Sequence, residues 1–419
     1  MVKPTDALKV FIVLLALPSF WFLPPRTLTL LVRRLGLILV VLATLKHDMD
    51  SGVNVIPKVN QDFGDYVAIV TGASGGIGLS VCKRLLAMNV TVVMACRSEE
   101  RCHTAKASIS SAGYASKLVP MSLDLADLNS IRDFTHSFRS NFSRLDILVN
   151  NAGLIAPAGQ RTKQGLESSF GVMHIGHFAL TKWLQDLLRR PIQGDDRAAR
   201  VVAISSAAHL VGDFDDSLLR GDGEGDLRGE VTDNCKSTGP LGLFSCCPTF
   251  KCPLTNGYSR AKLANILHMH ELQLRADADS LASKEPSRRL VTASLHPGSV
   301  STDIHPNFRK AGFLLRSSDE AAAVVMHAIL SDDFVPSSYI DSMKHDYDLL
   351  DYRKKYLQKH IQAYPEASFK SFAQPRLISF WSMEKYYWSL PSRPLESNTG
   401  KADLARRLWE VSDAMIASF

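Results

Sequence analysis

From Tyr66 the chain reads YVAIVTGASGGIGLSVCKRLLAMN: a β-branched run, a glycine-rich turn and a helical pattern in immediate succession. A strand buried on both faces reads as a continuous apolar run, as this one does, and such strands belong to parallel sheets covered by helices. Glycines 72, 76 and 78 let the backbone turn tightly. The helix that follows offers free N–H groups and the positive end of its dipole, which suits a pyrophosphate. The spacing is G-x-x-x-G-x-G rather than the commoner G-x-G-x-x-G. A second β-branched run, VTVVMAC from Val90, comes next. Strand, helix and strand in this order imply a doubly wound parallel α/β sheet of Rossmann type, with a dinucleotide at the carboxyl ends of its strands.

An acidic residue at the end of the second strand would accept from the adenosine ribose hydroxyls. Here those positions hold Cys96 and Arg97. A cation suits a ribose phosphate, so the expected cofactor is NADP(H) rather than NAD(H). The plainer reading of Arg97 is a solvated loop cation.

Composition excludes several classes. With 419 residues, 46% apolar and 21% charged, the chain can bury a sizeable core and is not biased towards disorder. The net charge of +6 is modest and its basic residues are scattered, without a stripe interleaved with aromatics, so no nucleic-acid partner is expected. The seven cysteines are an odd count without a regular framework. Those from Cys235 to Cys252 lack the paired spacing of a zinc site. Reduced cysteines in a cytosol-like compartment, and no metal, are the expectation.

No charge falls between Val10 and Pro25, and a second apolar stretch, broken by Arg33-Arg34, runs to Leu45. A spanning helix needs about 20 predominantly apolar residues. The first run is short and carries Pro18, Pro24 and Pro25. The second must keep its arginines near an interface, because a charge at mid-bilayer costs at least about 2.5 kcal/mol. A signal anchor, a hairpin turning at Pro24-Pro25-Arg26 and a cleaved signal peptide each explain the pattern, although no small-residue cleavage site follows the first run. Residues 1–46 are read as a membrane anchor, 47–64 as a linker and 65–343 as the catalytic domain.

Further along, Tyr258-Ser-Arg-Ala-Lys262 opens a helical stretch, where residues four apart share a face. An ammonium beside a phenol favours the phenolate, which makes Tyr258 a candidate general acid/base. Upstream, RVVAISSAAH ends a strand pattern at Ser205-Ser206, where a hydroxyl could hold a substrate carbonyl.

In order, TGASGGIG, LDL at 123–125, NNAG at 150–153, ISS at 204–206, YSRAK and HPGSVSTD at 296–303 resemble the short-chain dehydrogenase/reductase family over roughly residues 65–340. FGVMHIGHFALTKWL and RRLWEVSDAMI are similar to its retinol-dehydrogenase-like branch, which includes WW-domain oxidoreductase and polyprenol-dehydrogenase types. The resemblance implies that Tyr258 exchanges the proton. Lys262 would lower its pKa and bind the nicotinamide ribose, and Ser206 would hold the reacting oxygen. Thr71, Gly72, Ser74, Gly76, Ile77 and Gly78 would form the phosphate loop. Arg97 would meet the ribose phosphate, Asp124 and Leu125 the adenine. Asn151, Ala152 and Gly153 would line the cleft, and Pro297, Gly298, Val300 and Thr302 would cradle the nicotinamide amide.

One position departs from the family. The asparagine that supports a water relay to the lysine is replaced by Met173, whose thioether cannot hold that water. A silent cofactor-binding scaffold or sensor is therefore the alternative to an enzyme. Two insertions also stand out, at about 211–256 and at 344–397, before a C-terminal helix at 398–419. The first holds an acidic piece that cannot be a calcium loop, since starting at Asp222 puts Leu227 where glycine is required. An anchored enzyme with apolar inserts favours a lipophilic alcohol, aldehyde or ketone of retinoid, steroid or polyisoprenoid type. The endoplasmic reticulum or a lipid droplet is the expected location, with the catalytic domain facing the cytosol and a homodimer as one assembly.

Overall fold

A computed structural model describes residues 63–109, 115–157, 159–206, 208–209, 212, 214, 256–282, 287–298, 300–301, 304, 315–331, 338–341 and 399–419. The apolar N-terminus, most of the 211–256 insertion, the 344–397 insertion and Thr302 lie outside the described residues. Among the described residues no helix is long and apolar enough to cross a membrane.

Seven parallel strands form one sheet in the order β3-β2-β1-β4-β5-β6-β7. They are β1 Val67–Thr71, β2 Thr91–Cys96, β3 Leu118–Ser122, β4 Ile147–Asn150, β5 Ala199–Ile204, β6 Leu290–His296 and β7 Ser338–Asp341. The expected doubly wound sheet is therefore present, its strand order switching sides between β1 and β4. The inner strands β1, β4 and β6 are buried at every position, as strands covered on both faces must be.

The helices are α1 Gly76–Ala87, α2 Glu99–Ile109 and α3 Leu128–Asn141, then α4, which starts at Ser168–Phe170, passes a π turn at Gly171–Gly176 and continues over His177–Trp183. After these come α5 Gln185–Arg189, α6 Asn256–Ala282, α7 Ser318–Leu330 and α8 Thr399–Ala417. They divide the core in two. One layer joins the sheet to α3, α4, α6 and α8 through residues such as Phe138, Phe178, Leu267 and Trp409. The other joins it to α1, α2 and α7 through Leu85, Met94, Val324 and Met326. Asp127 caps α3 by accepting from Asn129 N–H, and Ser317 with Glu320 forms a capping box on α7.

The two ends of the sheet differ chemically. At the amino end, fully buried Asp146 accepts from Val67 N–H and pairs with Arg144 and Arg288. Glycine turns and polar side chains gather at the carboxyl end.

Candidate active site

At the carboxyl end of β1 the buried Thr71 side chain organises the entrance to the site. Its Oγ1 accepts from the N–H groups of Asn151 and Ala152, both at 2.9 Å, and its carbonyl accepts from Asn151 Nδ2 at 2.7 Å. Asn151 thus locks the NNAG turn onto β1. Gly72 has φ +65°, and a methyl group on Gly78 would stand 2.5 Å from the Gly72 carbonyl oxygen. Only glycine permits that approach. The N-terminus of α1 carries no side-chain cap, so its first N–H groups remain for a ligand. A bare-backbone cradle closed on one side by a helix N-terminus fits a dinucleotide pyrophosphate. Ser74 and Ile77 are half-buried along the same turn.

Two neighbouring strand ends extend the cleft. Arg97, just past β2, is exposed. Beyond β3, Asp124 takes the Ala126 N–H at 2.9 Å, and the buried Leu125 follows it. On the far side, Pro297 and Gly298 are buried after β6, with Gly298 at φ +90°, and Val300 bridges to Arg316.

Past β5 and along α6, the structure brings Ser206, Tyr258 and Lys262 together. Ser206 hydrogen-bonds the Tyr258 phenol, and Lys262 Nζ lies 5.5 Å from the centre of the Tyr258 ring. Lys262 Nζ also donates to the Ile204 carbonyl at 2.8 Å, and Ser205 Oγ donates to the Lys262 carbonyl at 2.7 Å. These bonds pin α6 to the end of β5. The expected lowering of the tyrosine is reversed. Burial pushes the Tyr258 phenol up, and the Ser206 bond offsets this only in part. Burial also brings the Lys262 ammonium down to about 8. Sequence spacing places the lysine near the phenol but says nothing of how completely both leave water.

Met173 lies fully buried in the π turn of α4. A methyl group on Gly153 would be 3.3 Å from Met173 Sδ and 3.7 Å from Lys262 Nζ, so thioether and ammonium converge on one face of Gly153. One turn on, His177 is a residue that motif reading missed. Its Nδ1 is 3.0 Å from the Met173 carbonyl and its Nε2 is 2.9 Å from Thr71 Oγ1. A carbonyl only accepts, so Nδ1 carries the proton and Thr71 donates to Nε2. Burial holds this imidazole down to about 4, which keeps it neutral. His177 therefore ties the Met173 turn to β1 and, through Thr71, to the NNAG turn. The only advance signal was that His177, with His174, interrupts a mostly apolar helical run.

The expectation of reduced cysteines fails at one pair, because Cys96 and Cys102 are joined by a disulfide. They lie six residues apart in sequence, and the turn from β2 into α2 brings their Cα atoms to 5.9 Å. No cluster able to hold a metal occurs among the described residues.

Comparison with known proteins gives a consistent picture. The profile of the short chain dehydrogenase family matches residues 66–216. Retinol dehydrogenase 12 of Mus musculus is 30% identical over 279 residues, covering 65% of this chain and 75% of that protein. The WW domain-containing oxidoreductase of Gallus gallus is 33% identical over 265 residues, covering 63% of this chain and 56% of that protein. The chain spans 51–60% of the length of the WW domain-containing oxidoreductases it matches first. In fold, it is similar to the crystal structure of an uncharacterized protein from Mycobacterium Paratuberculosis, with a TM-score of 0.51 and 24% identity, covering 85% of this chain and 95% of that one.

Proposed function

The chain belongs to the short-chain dehydrogenase family, and from that footing we propose that it is an NADP(H)-dependent oxidoreductase interconverting a lipophilic alcohol with its aldehyde or ketone. The observation that carries the reading is the meeting of Ser206, Tyr258 and Lys262 beside the Thr71–Gly78 cradle. When bound, the nicotinamide dinucleotide supplies or accepts the hydride.

The chain's own residues hold the partners and manage the proton. Ser206 orients the substrate oxygen against the Tyr258 hydroxyl. With its pKa raised by burial, Tyr258 is a neutral phenol at pH 7 and can donate its proton to a carbonyl oxygen as that oxygen gains charge. Lys262, still an ammonium at neutral pH, stabilises the phenolate left behind. Thr71 and Asn151 hold the cradle, Arg97 would hold the ribose phosphate, and the turn around Pro297 and Gly298 would hold the nicotinamide amide. Thr302 would join that last turn and lies outside the described residues.

The apolar stretches of residues 1–46 support membrane anchorage, at the endoplasmic reticulum or a lipid droplet, and with it a substrate that partitions into lipid. The relatives' printed names include retinol, and a retinoid, steroid or polyisoprenoid alcohol suits the same reading. Membranes carrying the full chain, supplied with NADP(H) and a panel of these alcohols and carbonyls, should turn over at least one class. A second reading, a silent cofactor-binding scaffold, has one observation in its favour, the Met173 thioether facing Gly153 and Lys262. NADPH binding without turnover of any panel member would sink the enzyme reading and favour the scaffold.

A further inference from the structure

The Cys96–Cys102 bond joins the carboxyl end of β2 to the first turn of α2, and Arg97 is the residue next after Cys96. We propose that this cysteine pair is a redox-controlled clasp that sets affinity for a 2′-phosphorylated dinucleotide by fixing Arg97, an inference that rests on the NADP(H) reading above.

Three observations support the clasp. First, α2 is lightly held, with Cys102 and Ala105 as its buried residues. The bond from Cys102 to the end of β2 is thus a principal anchor of the first turn of α2. Secondly, the backbone hydrogen bonds beside the Arg97 loop run through the two cysteines themselves. The Cys96 carbonyl accepts from Leu123 N–H at 2.8 Å, and Cys102 N–H donates to the Ser98 carbonyl at 3.1 Å. The Arg97–Glu99 segment between them takes its course from where the two cysteines stand. Exposed Glu99 stands 3.6 Å from His103 along α2.

Thirdly, the pocket satisfies both redox states. Cys102 Sγ lies 3.0 Å and Cys96 Sγ 3.9 Å from the Met94 carbonyl oxygen. A disulfide cannot donate to that oxygen, whereas the reduced Cys102 thiol can. Reduction therefore leaves no buried donor stranded but replaces a covalent tie with a weak S–H···O contact, so neither state is excluded on hydrogen-bonding grounds and the open state holds α2 less firmly. Both sulfurs are buried, so exchange requires the first turn of α2 to lift. Arg97, Glu99, Glu100 and Arg101 are all exposed, so lifting it uncovers little apolar surface.

Closure is a balanced exchange. Two thiols give up two protons and two electrons to a small disulfide such as oxidised glutathione, which leaves as two thiols; an excess of small thiol reverses it. With the bond closed, Arg97 is held ready for the phosphate. With it open, the first turn of α2 and Arg97 share many positions, and the charge-assisted contact is diluted. NAD(H), which lacks that phosphate, should not register the change.

The test measures dissociation constants of NADPH and NADH for the full chain after equilibration with oxidised glutathione, and again after a phosphine reductant, with free thiols counted by alkylation and mass. Oxidised protein should bind NADPH about tenfold more tightly than reduced protein, as expected for a positioned charge-assisted contact, while NADH affinity stays within about twofold. Cys102→Ser should resemble the reduced protein under both conditions. Arg97→Ala should abolish the difference while the disulfide still forms. A preference for NADPH that survives reduction unchanged overturns the clasp alone. Equal affinity for both cofactors in both states overturns the reading of Arg97 and the clasp with it. Failure to form the disulfide in folded protein under oxidised glutathione also overturns the clasp.

Discussion

Tyr258 and Lys262 are displaced in opposite senses by one cause, the loss of water around both. The phenol is kept neutral, and the ammonium gives up its proton at about 8 rather than at the usual 10.5. The charged form of Lys262 is therefore complete well below pH 8 and lost as pH rises through it. Carbonyl reduction should show an alkaline limb near that value, and Lys262→Arg, charged throughout, should remove the limb while slowing the reaction; a limb that persists in the arginine variant contradicts this assignment. His177 acts through its neighbours. His177→Leu removes the bonds to the Met173 carbonyl and to Thr71, and should cost about 1–3 kcal/mol in urea unfolding. An unchanged midpoint would show that the chain from Thr71 to Met173 contributes nothing. Tyr258, Lys262 and Ser206 were legible from sequence because each belongs to a local motif. The reversed phenol shift and the His177 bridge were not, since both depend on what other segments bring to the same place.

At the scale of elements, the chain divides stability from chemistry along the strands. The amino end of the sheet holds Asp146 with Arg144 and Arg288, and Arg288 is only 2% exposed. Asp146→Ala would strand that guanidinium away from water and should destabilise by about 3–5 kcal/mol, measured by denaturant unfolding. NADPH affinity of the folded variant should be unchanged, because the cradle is at the opposite end. The layer of α4, α6 and α8 has a different sensitivity. His174 bonds Ser412 of α8, while His268 lies tilted against the rings of Phe178 and Trp409. Burial pulls all three imidazoles down, His177 to about 4 and His268 to about 3. The unfolded chain takes up protons below about 6.5 while the folded one does not, so stability should fall as pH drops from about 6.5 towards 4. His268→Phe should flatten that slope in thermal melts across the window, and an unaltered slope would remove His268 from the account. The helical pattern of α4 was readable from sequence. Its π turn and its contacts with α8, far along the chain, were not. The disulfide was missed for a related reason: an odd count of cysteines says nothing of a strand end and a helix turn that fold back on each other.

For the whole molecule, the glycine turn between two apolar strands was enough to anticipate a parallel, helix-covered sheet, and the ordered motifs anticipated where its carboxyl ends would gather. Cofactor choice and substrate were less legible, since they turn on one cation past β2 and on segments of apolar and aromatic character outside the described residues. The proposed function rests on Tyr258 as the group that moves the proton. The direct measurement compares turnover by wild-type and Tyr258→Phe protein, in membranes with NADP(H) and the best lipophilic substrate, after matching their NADPH dissociation constants. Loss of a general acid should lower kcat by about 10²- to 10⁴-fold with cofactor affinity retained. Equal turnover by the phenylalanine variant would contradict the account.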